Sequence, residues 1–256
     1  NHYNLLRVYM TQTVICIKWG TRYGSEYVNR MNRAIKRYNK RPTRLICFTD
    51  DVTGIDEDVI TRDIPPVNLP DYEYSPPFRK VSLWQYPLGD LEGDVLYLDL
   101  DIVICGDVDR FFDYEPGEYC VAENWTQIGK NIGNTSCYRF PVGRYKHIFD
   151  DFNADPAKIE KKYGISQKYI SDVVGKMVYW PADWVVSFKH TIMPPWPLNF
   201  FKTAIPGPNT SVVAFTGKPD PDEAMIGEWP VEGEHWKKIY KFTKPCPWIE
   251  DYWLDK

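Results

Sequence analysis

Long apolar runs are missing from this chain. No uninterrupted hydrophobic stretch approaches the ~20 residues that a membrane-spanning helix needs, so a helical span within the sequence is excluded. The first residues, Asn1 to Tyr9, lack the apolar centre of a signal peptide, and residues 1–9 read as an extraneous leader before Met10. An excess of cations is missing too. Lys and Arg number 31 against 35 Asp and Glu, a net charge of −4, which gives no general nucleic-acid surface. Histidine is scarce: His2, His147, His190 and His235 show no metal-ligand spacing, and His190 reads as structural. The six cysteines (Cys16, Cys47, Cys105, Cys120, Cys137, Cys246) form no close pair, and several sit in apolar runs, where a thiol behaves as a small hydrophobe. Reduced, structural cysteines in a cytoplasmic protein are the expectation, since a chain of this size does not need a disulfide scaffold. Internal repeats and low-complexity tracts are absent, which excludes solenoids and arrays.

What remains is ordinary globular material with one bias. The 256 residues are 43% hydrophobic and 26% charged, enough for a full core in one large domain. Aromatics reach 16%, with 10 Trp and 18 Tyr. Such rings supply core mass, and Trp and Tyr also build the stacking walls of sugar and base sites.

The chain begins as strand, helix, strand. Thr13 to Ile17 is β-branched and apolar. Tyr27, Val28, Met31, Ala34, Ile35 and Tyr38 recur at helical spacing, and the basic run Lys36 to Arg44 would close that helix, where cations suit its dipole. Leu45 to Thr49 is a second apolar strand, ending at Asp50-Asp51. This order predicts an α/β fold with a mostly parallel sheet flanked by helices, and such sheets bind ligands at the carboxyl ends of their strands. The loop Lys18 to Gly24, Asp50 and Asp101 all fall at such ends. Further on, residues 64–77 form a Pro-rich loop, and Phe78 to Tyr86 can form a helix carrying Arg79 and Lys80. Tyr119 to Ala122, Ser136 to Tyr138, Tyr179 to Ser187 and Ser211 to Phe215 read as strands. Residues 143–175 read as mostly helical, and Asp107 and Asp109 as caps of a short helix after them. One domain over 10–256 is expected, with a nucleotide-binding half (10–110) and an acceptor-side half (111–256).

The segment Tyr97-Leu98-Asp99-Leu100-Asp101-Ile102-Val103-Ile104 carries most chemical information. In a strand, residues two apart point to the same side, so Asp99 and Asp101 can converge where the strand opens. Converging carboxylates repel unless a cation or proton lies between them. Oxygen ligands suit Mn²⁺ or Mg²⁺, and these neutralise a diphosphate. Solvated strand-end acids are the plainer alternative.

With that pair placed, the chain resembles glycosyltransferases of the GT-A fold, more narrowly the glycogenin and bacterial lipopolysaccharide galactosyl- and glucosyltransferase group. The matching segments occur in the family's order: KWGTRYGSEYVNRM, ICFTDD, FRKVSLW, GDVLYLDLDIVICGDVDRFF, IGNTSCYRF, ISQKYI, DWVVSFKH and VVAFTGKPDP, across roughly residues 12–222. The resemblance implies that Asp99 and Asp101 hold the metal against the diphosphate of a nucleotide-sugar donor, a UDP-hexose. It implies that Lys18, Gly20 and Tyr23 wall the uridine, that Asp50 contacts the nucleoside, and that Lys80, with Arg79, reaches phosphate or sugar. Asn134 and Ser136 would line the sugar pocket, Gln167 the reacting sugar face, and Gly217 and Lys218 would close over the diphosphate. The implied reaction is hexose transfer, with retention, to a glycan or lipid-linked acceptor in polysaccharide assembly. Two departures stand out. The family's third metal ligand, a histidine, is replaced in Ala214-Phe215-Thr216-Gly217, with Thr216 in that place, and the aspartate before Gln167 is Ser166. Asp172, about a turn further on, is a candidate replacement carboxylate.

Two alternatives remain open. Asp99-Leu100-Asp101-Ile102-Val103 also fits a haloacid-dehalogenase-like phosphatase, with Asp99 as nucleophile and Asp150-Asp151 as a later acidic pair. Thr216 and Ser166 fit a nucleotide-sugar binder with impaired catalysis. Finally, Trp236 to Lys244 alternates basic and aromatic residues, either as a C-terminal helix packed on the core or as a peripheral contact with the inner face of a membrane.

Overall fold

A computed structural model of the chain describes residues 11–69, 78–231 and 240–254. Its first three elements are β1 (Gln12–Lys18), α1 (Ser25–Tyr38) and β2 (Thr43–Thr49). Both strands are apolar on both faces because both faces are covered. Val14, Cys16, Leu45 and Cys47 pack with Val28, Met31 and Ile35 of α1. Their neighbours Ile15, Ile17, Ile46 and Phe48 pack on the opposite face with Trp84 and Tyr97. Each fully buried side chain of this kind contributes about 1.5–3 kcal/mol. The helix ends at Tyr38, so the basic run does not stay helical. Arg41 turns inward to Asp109 and Asp113, and Arg44 lies in β2.

Added to these are β3 (Ile60–Asp63), β4 (Asp94–Leu98), β5 (Ile102–Ile104), α2 (Arg110–Asp113), β6 (Cys120–Glu123), β7 (Gly133–Pro141), α3 (His147–Ala154), α4 (Pro156–Tyr163), α5 (Ser166–Val174), β8 (Val178–Tyr179), β9 (Val185–Ser187), β10 (Val212–Ala214), α6 (Pro221–Ile226) and α7 (Trp248–Trp253). Seven strands form one sheet in the order β3-β2-β1-β4-β7-β6-β8, in which only β7 runs against the rest. A second sheet has the order β5-β10-β9. The expected mixed α/β fold with a mostly parallel sheet is therefore present.

Several local expectations shift. The region 143–175 is three helices. Asp155 breaks it by accepting from the Lys158 N–H (3.1 Å), with Pro156 in the first turn of α4, and Gly164 ends that helix at φ +72°. The segment after Phe78 is a 3₁₀ helix, Arg79–Trp84. Asp109 does not cap α2. Its carboxylate accepts from the Lys40 N–H (2.8 Å) and faces Arg41, while Asp107 accepts from the Asp109 N–H (2.7 Å). All six cysteines are free thiols. Among the described residues no helix is long and apolar enough to cross a membrane. In the Pro-rich loop, Pro70, Pro76 and Pro77 lie outside the described residues, as do Trp236 to Ile239 of the tail. Of the rest of that tail, Phe242 stacks on Phe200 (4.8 Å) and Thr243 is buried, while Tyr240 is exposed.

Candidate active site

Two strands change partners at the centre of the molecule. β4 belongs to the large sheet through Leu98, and β5 belongs to the small one from Ile102, where it pairs with β10. Asp99 and Asp101 occupy the crossing. The backbone there is held from both sides: the Asp99 N–H donates to the Ser136 carbonyl (2.9 Å), and the Phe215 N–H donates to the Asp101 carbonyl (3.0 Å). Beside them, β7 bulges. Its register with β6 jumps from Val121↔Tyr138 to Ala122↔Asn134, and the intervening residues are pushed toward Asp99. Asn134 Oδ1 accepts from the Ser136 N–H (3.0 Å) and fixes that bulge.

Each aspartate has its own environment. Asp99 is committed to the protein: Lys80 Nζ lies 2.7 Å from Oδ1 and 2.8 Å from Oδ2, and the Tyr97 hydroxyl donates to Oδ1 at 2.7 Å. Lys80 also donates to the Thr135 carbonyl (3.3 Å), which locks the ammonium to the bulge. Burial and the Asp99 charge hold the Tyr97 hydroxyl in its protonated, donating form. Among the described residues, the Asp101 carboxylate accepts only from the Tyr23 hydroxyl, at 3.3 Å. Its burial, then the charge of Asp99, pushes its carboxyl up to about 7, with Asp220 adding to the push and Lys80 and Arg22 opposing it. A carboxylate in that situation gains from any cation placed against it.

The wall over this pair comes from the β1–α1 loop. A cavity of about 530 Å³ is lined by Trp19, Gly20, Thr21, Arg22 and Tyr23 together with Lys80, Asp99 and Asp101. That volume lies in the range of small-molecule sites. The loop is held open by Asp50, whose carboxylate accepts from the Gly20 N–H (3.0 Å) while Gly20 adopts φ +60°, a conformation glycine takes freely. On the far side the Tyr23 hydroxyl also donates to Asp220 (3.2 Å), and Arg22 lies 3.6 Å from the same carboxylate.

The residues singled out from the sequence are distributed unevenly around this cavity. Gly20, Tyr23, Lys80, Asp99 and Asp101 line it. Asp50 supports the loop, and Asn134 and Ser136 are buried and shape the bulge. Lys18 is buried, with its ammonium directed to the Asp51 carbonyl (3.4 Å). Gln167 starts α5, whose Ser171 hydroxyl donates to the Gln167 carbonyl (2.6 Å) and accepts from the Gly133 N–H (3.0 Å), which brings that helix to the start of β7. Thr216 follows Phe215 beside Asp101, and Gly217 turns the chain at φ +73°. Lys218 is drawn off to Asp220 (2.8 Å) and Glu223, the two acids of the capping box that starts α6. Asp172 is bound to Tyr163 and Lys162 on the surface, so it does not replace the missing carboxylate. Asp150 and Asp151 lie in α3.

Three participants were not anticipated. Tyr97 had a signal, since it precedes Asp99 by two residues in the strand and shares its face. Asp220 had one too, as the first residue of Asp220-Pro221-Asp222-Glu223, a capping-box pattern. Arg22 had only its place in the Lys18–Gly24 loop.

The donor set fits a magnesium- or manganese-type ion completed by phosphate and water: two carboxylates, one without a cationic partner in contact. Among the described residues no three His, Cys, Asp or Glu side chains form a closed metal cage.

No protein-family model matches the chain, and no curated protein matches it in sequence. Solved structures do. The galactosyltransferase LgtC, solved with donor and acceptor sugar analogs, superposes with a TM-score of 0.56 at 13% identity, covering 82% of this chain and 89% of that one. The glycosyltransferase GlyE of Streptococcus pneumoniae TIGR4 gives 0.57 at 15% identity over 83% of this chain and 56% of its own. Mouse xyloside xylosyltransferase 1 gives 0.51 at 10% identity, with coverages of 82% and 98%. The chain thus has the fold of these glycosyltransferases, the fold that the sequence motifs imply.

Proposed function

We propose that this protein is a nucleotide-sugar glycosyltransferase that moves a hexose from a UDP-sugar to a glycan or lipid-linked acceptor with retention, as part of polysaccharide assembly. The observation that carries the reading is the Asp99/Asp101 pair at the β4–β5 crossing, on the floor of a 530 Å³ cavity walled by the β1–α1 loop. Trp19 and Tyr23 supply stacking surface for a base, and Arg22 supplies a polar contact. Bound Mn²⁺ or Mg²⁺ would be held by Asp101 and Asp99 and would neutralise charge on the donor diphosphate. Lys80 holds the Asp99 carboxylate in place, and Tyr23 orients the Asp101 carboxylate.

A second cavity, of about 330 Å³, opens at the same edge of the large sheet, where β6 ends and β8 and β9 lead out. Trp125, Tyr179 and Trp180 line it with Glu123 and His190. Aromatic faces beside a carboxylate and an imidazole suit the apolar and hydroxyl faces of a sugar ring, so this is the acceptor groove of the proposal. LgtC, of the same fold, was solved with donor and acceptor sugar analogs, which supports a donor-and-acceptor reading in general.

The test is a screen of UDP-hexoses with Mn²⁺, with the released sugar or early product followed by NMR. Turnover with the donor's anomeric configuration kept is expected. An inverted product refutes retention, and hydrolysis of simple phosphate esters with a phospho-aspartate trapped at Asp99 refutes the transferase in favour of the phosphatase. Nucleotide binding without turnover of any donor points to the impaired binder suggested by Thr216 and Ser166.

A further inference from the structure

Among the described residues, Lys189 has no carboxylate in contact with its ammonium. Lys80 is paired with Asp99, Lys218 with Asp220 and Glu223, and Arg22 with Asp220. Lys189, half-buried, makes no hydrogen bond or ion pair to any described residue. Its position is fixed by the small sheet. Ser187 of β9 pairs with Ala214 of β10, and Ala214 pairs with Ile102, the residue after Asp101. Phe188 then locks onto Phe215, with ring centroids 4.6 Å apart and planes within 18°, and both rings are buried. That stack sets the backbone from which Lys189 leaves, and its Nζ stands 3.7 Å from where a β-carbon on Gly217 would lie. The charges it senses are Lys241, which repels it, and Asp101, which attracts it.

A half-buried ammonium beside the Gly217 turn, drawn toward Asp101 without an ion pair to it, is a cation short of an anion. A nucleoside diphosphate bound at Asp101 would bring its phosphates toward this ammonium, whose charge already feels Asp101. We propose that Lys189, rather than Lys218, is the side chain that holds the diphosphate of the donor and stabilises it as the leaving group. This rests on the nucleotide-sugar reading and assigns a role within it. In the transfer the bond from the anomeric carbon to the diphosphate oxygen breaks and its electron pair stays on that oxygen. The anomeric carbon bonds to the acceptor hydroxyl oxygen, whose proton passes to the released diphosphate. Lys189 keeps its own proton and meets the charge that accumulates on the phosphate. Lys218 keeps a structural task, tying Asp220 and Glu223 together at the start of α6.

Calorimetric titration with UDP and with uridine separates phosphate recognition from base recognition. For Lys189→Met, UDP affinity is expected to fall about tenfold or more while uridine affinity changes less than about twofold, as expected for one lost charge-assisted contact. Lys189→Arg is expected to recover most of the UDP affinity. Thermal melting of Lys189→Met close to wild type certifies the fold, since the side chain has no hydrogen-bond or ion-pair partner among the described residues. Unchanged UDP affinity in Lys189→Met overturns the proposal, as does an equal loss for UDP and uridine. Loss of UDP binding in Lys218→Met with retention in Lys189→Met gives the role to Lys218 and also overturns it. A wild-type protein that binds neither ligand refutes the nucleotide-sugar reading itself, an outcome distinct from normal UDP binding that ignores Lys189.

Discussion

Replacing Asp101 by asparagine should stabilise the metal-free protein at neutral and alkaline pH while abolishing its activity. In the folded chain, burial and then the Asp99 charge push the Asp101 carboxyl up to about 7. In the unfolded chain an aspartate titrates near ~3.9. A raised carboxyl favours the protonated fold, so its contribution is complete below about pH 4 and is lost as pH rises through about 7. The gap of ~3 units at ~1.36 kcal/mol each gives an upper bound of about 4 kcal/mol at pH 8. Because the cavity admits water beside the carboxylate, about 2–4 kcal/mol is the expected range. Asparagine keeps the shape and an oxygen to accept from Tyr23, and it removes the charge. Urea unfolding in chelator should therefore show Asp101→Asn more stable than wild type by about 2–4 kcal/mol at pH 8, with the two converging near pH 4. Added Mn²⁺ should raise wild-type stability and leave the variant unmoved. A variant no more stable than wild type at pH 8, or a difference that does not change with pH, would refute the electrostatic account.

Three further outcomes follow from the same geometry. Lys80→Met leaves Asp99 without its counter-ion and should cost roughly 3 kcal/mol in urea unfolding, besides its effect on turnover. Arg139 is fully buried and donates to the carbonyls of Phe111, Tyr114, Glu115 and Glu118 around α2, so Arg139→Leu should lose about 3–5 kcal/mol or fail to accumulate as folded protein. Trp125→Ala should raise the acceptor KM about tenfold, with UDP affinity by calorimetry held within about twofold; equal losses on both would remove the second cavity from acceptor binding.

The first half of the fold was legible because local pattern and tertiary packing agree there. Val14 and Cys16 alternate with Ile15 and Ile17 onto two covered faces, and α1 keeps its apolar stripe to Ile35. The aspartate pair was legible from period two alone. The breaks at Asp155-Pro156 and Gly164 were signalled in the sequence and still passed over, because the apolar spacing of Ile148, Phe149 and Phe152 dominates a coarse reading. Other features depend on distant pairing. That β4 leaves one sheet so that β5 can enter another follows from Ile102 meeting Ala214, which no window around Asp101 contains. Lys218 looked free in sequence because its two acids, Asp220 and Glu223, reach it only once α6 is capped. Lys189 lies in the DWVVSFKH segment but nothing local singles it out, since its position comes from the Phe188–Phe215 stack and the turn at Gly217.

The most direct measurement is calorimetric titration of UDP and GDP into wild type and Asp101→Ala, each with and without Mn²⁺. The account predicts Mn²⁺-dependent binding of UDP in preference to GDP, lost in Asp101→Ala. Binding that ignores both the metal and Asp101, or no nucleotide binding at all, would contradict it.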